Sequence, residues 1–224
     1  MTFSIVARCA DTGMFGVAVS SSSPAVAARC AYARAGTGAV ASQNITDPTL
    51  GRKALDLMAQ GATADETIGI LKRTTKYIDF RQVLAVDGQG GSAIYSGSHA
   101  LGTVGEACGM NVASGGNLLS GEDIPQIIVD AFTKSTGALG DRILVAMQAA
   151  VDAGGEEGPI HSAGMMLVRD VEWPVADLRV DWSDNCPIAD LRKLWKIYQP
   201  QLDAYVTRAL NPGNAPSYGV PGDQ

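Results

Sequence analysis

The second residue of the chain is a threonine directly behind a methionine, in Met1-Thr2-Phe3-Ser4-Ile5-Val6. Threonine is small enough for methionine aminopeptidase to act, and removal of Met1 leaves Thr2 with a hydroxyl and a free α-amine. Such an amine has a reference pKa of about 7.7–8.0, so part of it is a neutral base near physiological pH. One residue then supplies nucleophile and general base, the threonine form of nucleophilic catalysis. A run of hydroxyls, Ser20 to Ser23, follows the second apolar segment. Farther on, Ser114-Gly115-Gly116-Asn117 offers main-chain N–H groups that glycine leaves approachable, the material of an oxyanion hole.

These residues need elements to bring them together. Residues 3–9 and 15–21 read as strands around the turn signal Asp11-Thr12-Gly13, which makes a β-hairpin. Antiparallel pairing about that turn returns Ser21 to Ser23 beside the chain start, and alternation puts Thr2 and Ser4 on one face. A buried strand over 37–43 ends at Gln43, whose amide is placed to donate to a substrate carbonyl. Asp47-Pro48 opens a helix that Gly61 closes, and Thr63 with Glu66 forms a capping box for the next. Strands follow at 80–86 and 92–96 around Asp87–Gly91, then a strand near 107–113, with Gly115–Asn117 in the turn leading to a helix. Helices over 122–135 and 139–153 precede strands at 162–169 and 175–181. A last helix covers 187–198, with a break at Pro200 and more helix to Leu210. Helix pairs set between groups of antiparallel strands predict a layered α+β sandwich rather than βαβ units. Strands that are apolar throughout imply sheets covered on both faces.

A chain of 224 residues, 46% hydrophobic and 18% charged, is long enough for one full core. We expect a single domain over 2–210 and a Pro/Gly-rich tail over 211–224. The net charge of −6, with lysines and arginines scattered, argues against nucleic acid and anionic membrane as partners. No apolar run is long enough to span a bilayer, and the start lacks a basic segment and an apolar run of the secretory kind. A cytoplasmic location is therefore expected. Cys9, Cys30, Cys108 and Cys186 form no metal-spaced pair and read as free thiols. His99 and His161 have no second ligand nearby, so neither metal nor cofactor is expected.

The motifs carry a resemblance. The opening strand-turn-strand, the strand ending at Gln43, the helix pair and the Ser-Gly-Gly segment resemble the first half of proteasome-type β subunits. The closer likeness is to a bacterial family of Ntn-hydrolase-like proteins, domain of unknown function 1028. Its motifs stand here at Thr2–Arg8, Gly16–Ser21, Gly36–Gln43 and Asp177–Asp181. The resemblance implies a four-layer αββα sandwich of two mainly antiparallel sheets and hydrolysis of a C–N bond in a small-molecule amide. The acidic segment Gly154-Gly155-Glu156-Glu157-Gly158-Pro159 departs from a basic version common in that family, which implies a different preference for substrate charge.

The catalytic set expected is Thr2, Gln43, Gly116 and Asn117. The substrate-binding set is Ser4, Ser21, Ser23, Arg34, Ser114, Gly115 and Glu157, with Arg8 the alternative to Arg34 as a clamp for a carboxylate. Glu156 and Glu157, in a Gly-rich loop, either face the terminal amine or, as the stronger reading, form a solvated acidic turn, and Asp177, Arg179 and Asp181 read as a structural pair network. His161 reads as structural. A homo-oligomer is expected from the sandwich edges and the tail. Two rivals stand beside the Thr2 hydrolase: a non-catalytic binding or assembly protein on the same fold, and a hydrolase using Ser4 or Ser21 with Met1 kept.

Overall fold

In the computed structural model, residues 1–220 are described. The amino-terminal hairpin forms as expected, from β1 (Thr2–Arg8) and β2 (Phe15–Ser21), with Thr2 opposite Ser21. A short helix α1 (Ala27–Cys30) and strand β3 (Ala31–Arg34) follow, in a stretch whose small residues gave no periodic signal. Then come β4 (Gly38–Asn44), helices α2 (Pro48–Ala59) and α3 (Ala64–Thr74), and strands β5 (Arg81–Asp87) and β6 (Ser92–Ser96). The Asp47 carboxylate accepts from the Thr49 N–H at 3.0 Å, and both arms of the Thr63–Glu66 capping box are made.

The single strand expected near 107–113 is two strands, β7 (Gly105–Gly109) and β8 (Val112–Asn117). Asn111 turns the chain between them at φ 65°, a left-handed conformation that asparagine tolerates. Ser114 to Asn117 are therefore part of a strand, not a turn leading into a helix. Helices α4 (Ile124–Lys134) and α5 (Leu139–Asp152), strands β9 (Ser162–Val168) and β10 (Ala176–Val180), and helices α6 (Pro187–Tyr198) and α7 (Leu202–Leu210) complete the order.

Among the described residues, ten strands form two antiparallel sheets, one ordered β10-β9-β2-β1-β8-β7 and the other β3-β4-β5-β6. They pack face to face over Val6, Val17, Val19, Ala39, Ala41, Leu84, Val86 and Ala113. The outer face of the larger sheet, carrying Phe3 and Ile5, lies under α4, α5 and α6, with Ile128, Phe132, Ile143, Met147 and Trp195 buried there. The smaller sheet is covered by α2 and α3 through Leu50, Ala54, Ile68 and Leu71. The result is a four-layer αββα sandwich of two antiparallel sheets. Double coverage explains why β2 is buried at every position. β1 is interior to its sheet, so Thr2 starts a strand locked by neighbours on both sides.

After α7 the chain is tied back by Arg208, which donates to the carbonyl of Pro216 at 2.9 Å and lies 3.6 Å from the Tyr218 ring centroid. Pro221 and the rest of the expected tail lie outside the described residues. Among those described, no helix is long and apolar enough to cross a membrane.

Candidate active site

Thr2, Ser21, Ser162, Asn117, Asn44, Arg81 and Ser96 all stand at strand ends on one end of the sandwich. Among the described residues, three of the five non-glycine residues with positive φ cluster there: Ala25 at 50°, Asn44 at 74° and Leu118 at 51°. Such conformations cost free energy and gather at functional sites.

Thr2 is 7% exposed. Its hydroxyl donates to the Met1 carbonyl at 2.5 Å and lies 3.3 Å from Ser21 Oγ. Ser21 Oγ donates to the same carbonyl at 2.6 Å and meets Ser23 Oγ at 2.9 Å. The Ser23 N–H also points at Ser21 Oγ, at 3.1 Å. Behind them, the Arg29 guanidinium donates to Ser23 Oγ at 2.7 Å and to the carbonyls of Pro24 and Ala25. Ser162 secures the same turn, donating to the Ser23 carbonyl at 2.6 Å and accepting from the Val26 N–H. A cation and a main-chain N–H thus feed a line of hydroxyls that ends at a carbonyl oxygen beside Thr2.

Glu156 approaches from the loop after α5. It is 5% exposed; Oε2 accepts from the Ser22 N–H at 3.2 Å, and Oε1 has no hydrogen-bond partner. Burial pushes its pKa up to about 8, against the opposing pull of the chain's amino group and the Ser22 N–H. Gly154 and Gly155, both at positive φ, and a β-bridge between Leu119 and Glu156 aim the side chain inward.

Between the sheets lies a second, fully buried polar group. Gln43 Nε2 donates to Gln82 Oε1 at 2.7 Å and to the Gly115 carbonyl at 3.1 Å. Gln82 Nε2 donates to Ser96 Oγ at 2.7 Å and the Gly116 carbonyl at 3.1 Å, and Asn117 Nδ2 reaches Gln82 Oε1 at 3.5 Å. Ser4 Oγ and Gln43 Oε1 are buried without a partner. This group braces β8 against β4 and β5 directly beside Thr2. Gln82→Leu strands the amides and carbonyls it serves, and is expected to cost about 2–3 kcal/mol in urea unfolding.

The structure therefore brings together Thr2, Ser21 and Ser23, with Asn117 paired across from Thr2 and Ser4, Gln43 and Gly115 in the layer behind. Other expectations need correction. Gly115 and Gly116 lie inside β8 with β1 and β7 on either side, so their N–H groups face neighbouring strands. Ser114 shares the face of Ile5 under the helices and donates to the Ser4 carbonyl. Arg34 sits at the far end of the smaller sheet, paired with Asp56 at 2.7 Å. Arg8, at the far end of β1, bonds Asn111. Glu157 is exposed, and its neighbour Glu156 takes the inward position. Sequence reasoning missed Gln82 and Arg29 altogether. Arg179 and Asp177 do form a bidentate pair, and His161 stacks on Trp182 at 4.2 Å with Nδ1 against the Ser183 carbonyl. Among the described residues, no three His, Cys, Asp or Glu side chains converge as a metal site.

The chain matches none of the curated proteins. Among solved structures it is similar to a crystal structure of a Silicibacter pomeroyi protein described under the family model DUF1028, with 25% identity, 88% of each chain covered and a TM-score of 0.81. Looser overlaps are with HslV from Trypanosoma brucei, at 12% identity over 76% of this chain and 100% of that one, TM-score 0.44. Another is with Anbu from Yersinia bercovieri, at 11% identity over 91% and 97%, TM-score 0.37. The model described as "Family of unknown function (DUF1028)" matches residues 2–191, most of the chain, and the chain belongs to that family.

Proposed function

We propose that the chain is a hydrolase of small amides whose nucleophile is Thr2 after Met1 has been removed. The observation that carries this reading is Thr2 Oγ at the head of the Ser21–Ser23–Arg29 line, at the strained end of the sandwich. With Met1 gone, the Thr2 α-amine takes the hydroxyl proton as Oγ attacks the carbonyl carbon, then hands it to the leaving amine. Water releases the acyl group by the reverse path. Ser21 is the donor for the developing oxyanion: its proton points at a carbonyl oxygen, and Arg29 polarises it through Ser23. Gln43, Gln82 and Asn117 position β8 and β1 from behind. Ser4 is a poor rival nucleophile, being 0% exposed.

The test is covalent trapping. Protein with a liberated Thr2, verified by intact mass, is incubated with a slowly deacylating activated ester and digested. The acyl group is expected on Thr2. Its appearance on Ser21 instead, or on no residue of this cluster, would overturn the reading.

A further inference from the structure

Met1 occupies the space in front of Thr2 Oγ, and its carbonyl and its thioether each meet a different part of the chain. Its carbonyl oxygen takes the hydroxyls of Thr2 and Ser21. Its thioether lies against Gly158, where an added Cβ would stand 3.0 Å from Met1 Cε and 3.3 Å from Sδ. Its amino group is within electrostatic reach of Glu156, whose buried Oε1 has no donor of its own. A buried carboxylate oxygen left without a partner is costly, and an ammonium is the group that would satisfy it. Once Met1 departs, the vacated space keeps those three walls: a hydroxyl for a carbonyl, a carboxylate for an amine, and an open glycine face for a side chain.

We infer that the acyl half of the substrate is an α-amino acid with a free amino group, so that the substrates are aminoacyl amides or short peptides with an unblocked amino terminus. Ser21 Oγ takes the scissile carbonyl, Glu156 the ammonium, and the face of Gly158 the side chain. This rests on the Thr2 reading above. In the reaction, Thr2 Oγ bonds to the acyl carbon while its proton passes to the Thr2 α-amine. The C–N bond then breaks as the leaving amine receives that proton. Water cleaves the resulting ester, which restores the hydroxyl and releases the free amino acid. Glu156 stays outside this proton balance and acts by positioning the ammonium.

The test compares L-methionine p-nitroanilide with its N-acetyl derivative, using protein whose amino terminus is Thr2. The acetyl group removes the cation and adds bulk against Glu156, so kcat/KM is expected to favour the free amine by about a hundredfold or more. Glu156→Gln, of the same shape without the charge, is expected to shrink that preference to within about tenfold, chiefly through KM. Glu156→Asp is expected to retain an intermediate preference, and far-UV circular dichroism checks that both variants fold. Equal or faster hydrolysis of the acetylated compound overturns the inference, as does a preference unchanged in Glu156→Gln. A parallel incubation with p-nitrophenyl acetate separates two failures. Acetylation of Thr2 without an aminoacyl preference removes the substrate assignment and leaves the nucleophile standing. No acetylation of Thr2 and no turnover of either anilide removes both.

Discussion

Thr2→Ala is expected to lower amide turnover by at least ~10⁴-fold while leaving the protein folded. The substitution deletes the attacking oxygen and keeps the α-amine, so the loss isolates the nucleophile. The fold should tolerate it. Thr2 sits at the first position of β1, its backbone is held by β2 and β8, and its hydroxyl is hydrogen-bonded to Met1 and Ser21. The stability cost is expected to be about 1 kcal/mol in urea unfolding. Thr2→Ser restores the oxygen without the methyl that helps fix its rotamer, and should recover turnover to within about a hundredfold of that expected of the unsubstituted, processed protein. A chain that keeps Met1 should be as inactive as Thr2→Ala, because its Thr2 nitrogen is an amide and no longer a base. Turnover above about a tenth of native in Thr2→Ala would move the chemistry elsewhere, with Ser21 the first residue to examine.

Local signals foretold which of these residues the fold brings together. The Asp11–Gly13 turn sets the hairpin register, and that register alone puts Thr2 opposite Ser21. The helix starts at Asp47 and Thr63 were likewise legible, because capping is decided within three residues. The buried amide group was not. Gln43 and Gln82 meet only because β4 and β5 pair in one register, across two intervening helices, and nothing within either strand encodes that pairing. β7 and β8 merged in the sequence because their turn, Met110-Asn111, carries no glycine or proline and interrupts an otherwise continuous run of small and apolar residues. That merger pushed Gly115 and Gly116 out of the strand and into a supposed oxyanion turn. Glu156 and Glu157 are indistinguishable by type. The bridge to Leu119 selects the one that turns inward, and Arg29 replaces Arg34 because the turn it clamps lies at the Thr2 end.

Glu156→Gln is expected to stabilise the fold at alkaline pH and to leave it unchanged below about pH 4.5. Burial, partly offset by the chain's amino group and the Ser22 N–H, lifts this carboxyl from its ordinary 4.5 to about 8. The sign follows from proton linkage. Below pH 4.5 the carboxyl is protonated in the folded and unfolded chains alike, and the folded state loses nothing. Between 4.5 and about 8 the unfolded chain releases a proton that the folded chain retains, so native stability falls with each unit of pH. Above about 8 the buried group ionises and the penalty levels off at about 5 kcal/mol. Glutamine keeps the shape and the bond to Ser22 without titrating, so its advantage should grow from about zero at pH 4 to a few kcal/mol at pH 8.5, read from urea midpoints at several pH values. An advantage that stays flat across the window would show that Glu156 is solvated and ionised throughout. A carboxylate that opposes its own fold near neutral pH is not there for stability. Its position beside the chain start, with an oxygen lacking any donor, fits a group held ready for a cation supplied by a ligand. The same substitution that strengthens the fold should therefore weaken binding of an amino-bearing substrate, and the two effects read together separate a functional carboxylate from a merely buried one.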